Sequence, residues 1–314
     1  MRRYVARRLL AFAATLFLVS VLVFVVVRVL PGDPALIIMG TEGSPEAAAA
    51  LRKAMGLDRP LVVQYAEWVR GAFRGDLGRS IQYDVSVGAL ILSRLPVTLP
   101  LTILAALFMT AVALPLGLYA ATHHRRLGDH LATIVAQLGI AVPSFWAGLL
   151  LILLFAVRLG WVQAGGFAGW EGGVGPALRS LILPALALGV IQAAILTRTT
   201  RAAVLEVVRA EHVRTARAKG LTEGTVRWKH VLRNALIPIV TVAGLQLGQL
   251  MAGSIVLESV FYLPGLGRLA LGAISARDLP VVQGVGLFVA AAIVTLNFAV
   301  DVVYGWLDPR IRYD

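Results

Sequence analysis

Six long apolar stretches constrain this chain more than any other feature. A bilayer core is spanned by about 20 mostly apolar residues. Such stretches run at about Leu9 to Leu30, Pro96 to Thr122, Leu131 to Val157, Leu181 to Thr197, Leu236 to Leu257 and Val281 to Val303. In hydrocarbon each backbone N–H and C=O must be satisfied within its own segment or by barrel closure. Barrel strands alternate over about 10 residues, and these runs are longer and unbroken. The predicted fold class is therefore all-α, a polytopic membrane protein with six transmembrane helices. Composition agrees: 58% of the 314 residues are hydrophobic and only 15% charged, against roughly 45–50% and 25% in soluble domains. Arg2, Arg3, Arg7 and Arg8 precede the first run. That run is too long for a signal-peptide core, and Leu30-Pro31-Gly32-Asp33-Pro34 offers no small-x-small cleavage site, so the first helix is read as retained.

The net charge of +12 would suggest nucleic acid in a soluble protein. In a membrane protein it reports orientation instead, and no nucleic-acid partner is expected. With a cytoplasmic amino terminus, the inner segments hold 17 Lys and Arg. The short outer segments hold 4, once the long loop 31–95 is set aside as the rule requires. Both termini are predicted to be cytoplasmic, with basic flanks against membrane lipid. The absence of Cys excludes disulfide scaffolds, thiolate metal sites and cysteine nucleophiles.

Three regions follow: residues 1–30 with the first span, an outer loop region 31–95, and a core 96–314 that contains an inner loop, 198–235. In the outer loop, Ser44-Pro45-Glu46 opens one helix and Gly56 after Met55 closes it. A second helix is predicted from Leu61 to Phe73, with Leu61, Val62, Tyr65, Val69 and Phe73 on one face. The inner loop is longer than two adjacent spans require. Its stretch Glu211 to Lys219 reads as a helix stopped by Gly220, and a patterned helix on a basic loop suggests docking to a cytoplasmic partner.

This inner loop resembles the coupling segment of ATP-binding cassette (ABC) importer permeases, most closely the dipeptide/oligopeptide subfamily. The residues that carry the resemblance are Arg214-Thr215-Ala216-Arg217-Ala218-Lys219-Gly220-Leu221, His230, and Leu232-Arg233-Asn234-Ala235-Leu236-Ile237-Pro238. Leu30-Pro31-Gly32-Asp33-Pro34, Arg94-Leu95-Pro96-Val97-Thr98-Leu99, Pro143-Ser144-Phe145, Pro264-Gly265-Leu266-Gly267 and Asp308-Pro309-Arg310-Ile311-Arg312 fit it too. Glu211-His212 stands where the familiar motif has Glu-Ala-Ala. The resemblance implies a type I importer architecture in a bacterial or archaeal plasma membrane. Its implied partners are a second, homologous permease subunit, two ABC ATPase subunits and an extracytoplasmic solute-binding protein. Glu211, Arg214, Thr215, Ala216, Arg217, Ala218, Lys219 and Gly220 would form the ATPase-coupling helix, with the cations Arg214, Arg217 and Lys219 free to pair with partner carboxylates.

No G-x-x-x-x-G-K-[ST] phosphate loop occurs, so ATP and Mg are expected on the partner ATPases, with no cofactor, metal or catalytic residue on this chain. All five His residues fall in inner segments. Polar residues inside spans mark candidate pathways. Gln246 and Gln249 lie three apart near the midplane of the fifth span; in the sixth, Asn297 and Asp301 share a face with Gln283. Gly244, Gly248 and Ala252 form a separate small-residue stripe for packing. Pro115 and Pro143 are expected to kink their helices, and Glu258 to pair with Arg268 or Arg277. The resulting expectation is a permease subunit that imports peptides or similar small solutes by alternating access. An ion-gradient secondary transporter is the alternative; it predicts inverted repeats and paired membrane carboxylates, of which the chain shows no convincing repeat and a single acid, Asp301.

Overall fold

The computed structural model describes residues 2–29, 44–54 and 56–307. The Leu30–Pro34 and Asp308–Arg312 motifs, and Met55, lie outside them. Among the described residues the regular elements are helical: α1 Arg2–Val29, α2 Pro45–Ala54, α3 Leu61–Phe73, α4 Val87–Thr122, α5 Leu127–Ala141, α6 Ser144–Arg158, α7 Val174–Val208, α8 Glu211–Ala218, α9 Glu223–Val260, α10 Leu266–Ser275 and α11 Leu279–Leu307. Five of these are long and apolar enough to cross a membrane, and the bent pair α5–α6 brings the number to six if it is taken as one broken span. The chain is a multi-pass all-α membrane protein.

The helices differ from the sequence expectation in ways that have local causes. α4 begins at Val87 rather than Pro96, because Ser86 caps it by accepting from the Ala89 N–H. Its first turns bury Val87 and Ile91 against α10 and α11. Pro96 and Pro100 are therefore inside the helix. The third span is not one kinked helix: α5 and α6 meet at an angle of 102°, with Val142 and Pro143 extended between them. The residue before a proline is pushed out of the helical region, and here that bias breaks the span. α7 runs 35 residues, far beyond the expected Leu181 to Thr197. Most of the 198–235 loop is thus continuous helix: α7 extends to Val208 and α9 starts at Glu223, with a π-helical stretch at Val226–Leu232.

α4, α7 and α9 form the core, with Leu101, Met109, Leu181, Leu196, Leu250 and Leu257 buried among them. Small residues allow the close approach that membrane helices need: a Cβ on Gly117 would stand 2.6 Å from Thr200 Cβ. In the 31–95 region, α3 packs on α1. Tyr65 and Ser20 hydroxyls are 2.7 Å apart, and Phe24 meets the rings of Tyr65 and Trp68 at 5.4 and 6.0 Å. Of the expected apolar stripe, Tyr65 makes this contact, joined by Trp68 from outside the stripe. Leu61, Val62 and Phe73 stay exposed, because the aromatic pair Tyr65 and Trp68 offers more ring surface to α1.

Candidate coupling segment and translocation path

α8 is a short helix set between two full spans. Val213 and Ala216 are buried together with Val226 and Val231 of α9, and this apolar base turns the remaining residues outward. Glu211, Arg214, Thr215, Arg217, Ala218, Lys219 and Gly220 are exposed. The helix ends in a Schellman motif: the Gly220 N–H donates to Arg217 O at 2.9 Å and the Leu221 N–H to Ala216 O at 3.4 Å. The turn requires φ +76° at Gly220, a conformation costly for residues with a Cβ. His212 is held from α9, accepting from the Asn234 side chain at 3.4 Å, while Asn234 also donates to His230 O at 2.7 Å. The Asn234 of the sequence motif thus braces the segment from below.

Two of the three cations expected to face a partner are engaged within the chain. Arg214 pairs with Glu211 at 2.8 Å, and Arg217 with Glu223 at 2.8 Å. Lys219 has no carboxylate partner among the described residues. Exposed pairs of this kind contribute only about 0–1 kcal/mol, so Arg214 and Arg217 can exchange Glu211 and Glu223 for other acids at little cost.

The four polar residues of the spans do not converge on one face. Gln246 is buried and Gln249 exposed on α9. The Oδ1 of Asn297 on α11 is buried with no hydrogen-bond partner among the described residues and lies 4.0 Å from where a Cβ on Gly248 would be. Gln246 is two residues from Gly248, so it projects about 200° around the helix from that contact. Asp301 pairs with Arg8 of α1 at 2.9 Å, and the rings of Phe12 and Phe298, tilted with centroids 5.1 Å apart, join the same two helices. Gly244 and Gly248 do pack on α11: a Cβ on Gly244 would meet Val300 Cγ2 at 2.3 Å. Ala252, the third member of that stripe, is exposed.

Glu258 pairs with neither Arg268 nor Arg277. It is fully buried and accepts from the Thr98 hydroxyl at 2.6 Å and the N–H groups of Gly267 and Arg268 at 2.6 and 3.3 Å. A carboxylate at a helix N-terminus satisfies donors that lack intrahelical partners, and α10 supplies them. Gly265 leaves room for this approach, since a Cβ there would fall 2.3 Å from the Glu258 carboxyl carbon, and Gly267 lets α10 approach the α9 backbone, where a Cβ would meet Ile255 Cα at 2.2 Å. Arg268 instead lies 3.6 Å over the Tyr262 ring. At the α8 end, Asp129 of α5 is buried and grips Arg201 of α7 through two bonds, 2.5 and 2.8 Å, with His124 and the Arg125 N–H completing its shell. Nothing in the sequence marked Thr98, Asp129 or Arg201 as partners; their spacing follows no local pattern.

The profile of the family described as "Binding-protein-dependent transport system inner membrane component" matches residues 113–313, and its N-terminal counterpart, "Binding-prot-dependent transport system membrane comp, N-term", matches residues 1–102. The chain belongs to this family. A putative peptide transport system permease protein of Brucella abortus is 42% identical over the full length of both chains. The glutathione transport system permease protein GsiC of Escherichia coli is 43% identical, again over the full length of both. In fold, the permease is similar to a chain of the MetNI methionine ABC transporter: TM-score 0.58, 20% identity, 70% of this chain and 96% of that one covered. It is an inner-membrane transport subunit of a binding-protein-dependent ABC importer.

Proposed function

We propose that this permease imports peptides, glutathione-sized peptides included, with a second, homologous permease subunit, two ABC ATPases that bind and hydrolyse ATP with Mg, and an extracytoplasmic binding protein. The substrate class follows from the relatives, which are named for peptide and glutathione transport. Both termini and α8 lie in the cytoplasm, on the basic side of the charge asymmetry. The ATPases grip α8, and their closure on ATP moves α7 and α9, which are continuous with it. ATP and the loaded binding protein shift the transporter between inward and outward access only through their different affinities for the two states. Gln249 faces the route between the two permease subunits, and Gln246 and Asn297 shape the helices behind it; Asp301 acts through its tie to α1.

The observation that carries this reading is the exposed face of α8, mounted on Val213 and Ala216 between two spans. Gly220 is a poor place to test it, because its positive φ makes any substitution strain the turn. Ala218→Trp and Lys219→Glu alter the exposed face alone. In the complete transporter, each should leave the permease in the membrane at normal amounts while lowering recovery of the ATPases and abolishing trialanine uptake. Normal uptake in both variants would refute the coupling role.

A further inference from the structure

At the end of the helix bundle opposite α8, a cavity of about 430 Å³ opens between the first turns of α4, the Pro264–Gly265 corner and α10. Two of its lining residues are cations, Arg94 and Arg268, and exposed Tyr83 and Ser275 line it as well. Arg94 Nε is buried and meets no hydrogen-bond acceptor among the described residues. The Nε donor is thus left for a ligand acceptor to satisfy. Arg268 is fixed from the other side by the Tyr262 ring and by donating to Tyr262 O at 3.3 Å, which commits one of its five N–H donors.

The acids that could neutralise these cations are committed elsewhere. Glu258 is turned to Thr98 and the start of α10. Asp278 is held by the Ser80 hydroxyl and the N–H groups of Ile81 and Gln82, and Asp84 pairs with Arg79. Among the described residues, the cavity is therefore lined by two guanidinium groups, one of them held by Tyr262, and by no carboxylate, a setting that matches the planar, two-point geometry of a carboxylate. Its volume lies in the range of small-molecule sites, about 300–1,000 Å³.

We propose that this cavity is a carboxylate-binding site at the outer mouth of the permease, in which Arg94 takes the terminal carboxylate of the entering solute and Arg268 supplies the second charge. The source of the carboxylate rests on the peptide reading above; the carboxylate chemistry does not. Entering solute is drawn to the mouth by its charged end and released when the cavity changes shape.

The chain lacks Cys, so Ser275→Cys places one thiol of this subunit in the cavity while Arg94 stays in place. In the purified complex in nanodiscs, labelling of that thiol is compared for an anionic sulfonate and a cationic trimethylammonium methanethiosulfonate reagent. Relative to its rate with a free thiol, the anionic reagent should be favoured roughly tenfold or more, as fields of fixed charge raise encounter rates, and the preference should fall sharply on adding Arg94→Gln. Acetate and trialanine should slow the labelling, and trialanine amide should not. Equal rates with and without Arg94, or equal protection by the amide, would overturn the site. Protection by the binding protein alone, with acetate and trialanine inert, would also overturn it and assign the cavity to docking. Acetate protection without trialanine uptake by the cells would keep the site and refute the peptide reading. An unchanged melting temperature for Arg94→Gln separates the loss of binding from a loss of fold.

Discussion

Glu258 of α9 and Thr98 of α4, 160 residues apart in sequence, share a 2.6 Å hydrogen bond in the protein interior. Thr98 Oγ1 also accepts from the Leu266 N–H at 2.9 Å, so three helices meet on one carboxylate and one hydroxyl. Each part of this junction satisfies a donor or acceptor that water cannot reach. Glu258→Ala strands the Thr98 hydroxyl and the N–H groups at the start of α10, and should cost about 3 kcal/mol or more. Thr98→Val should cost less, about 1–3 kcal/mol. Thermal unfolding of the purified complex measures both, and two variants as stable as the parent would show that the junction is not structural.

The Asp129–Arg201 pair joins α5 to α7 at the α8 end, where the broken third span begins. Removing one partner of a largely buried ion pair is costly, commonly 3–5 kcal/mol, whereas replacing both by apolar residues is often neutral. Arg201→Met alone should destabilise the protein by about 2–3 kcal/mol, below that range because its side chain is 26% exposed. Asp129→Leu combined with Arg201→Met should regain much of the loss. A double variant as unstable as the sum of the singles would show that the pair acts through something other than its charges.

On α9 the two glutamines separate by burial. Gln246 is buried, so Trp there overfills the core and reports on packing. Gln249 is exposed on the isolated chain. Gln249→Trp should abolish uptake while leaving assembly and melting temperature near normal. Gly244→Ala, whose new methyl would collide with Val300, should instead lower stability by about 1–3 kcal/mol. Normal uptake by Gln249→Trp removes that residue from the route.

Orientation can be read by labelling in intact cells. Gln82 and Ala218 are exposed near opposite ends of the helices. Gln82→Cys should react with an impermeant maleimide from outside, and Ala218→Cys only after permeabilisation. The reverse pattern would invert the topology and place the cavity at Arg94 on the cytoplasmic side.

Five of the six spans, the helical class and the isolated helix before Gly220 were determined by the sequence, because each follows from local necessity. Hydrocarbon forces a long apolar run to close its own backbone hydrogen bonds, and a glycine after a short basic helix supplies the left-handed stop. The tertiary structure decided whatever depended on a neighbour. Pro143 could have kinked or broken its span, and the packed helices around it turned the bias into a 102° break. The ends of α4 and α7 were extended by contacts and caps outside the hydrophobic window. Asp301 had the sequence position of a pathway acid, but its ion pair with Arg8 required α1 and α11 to lie side by side. Glu258 had two arginines near it in sequence and chose Thr98 and two backbone N–H groups instead. A buried charge is satisfied by whichever donors the fold brings within about 3 Å, and a linear pattern does not encode that distance.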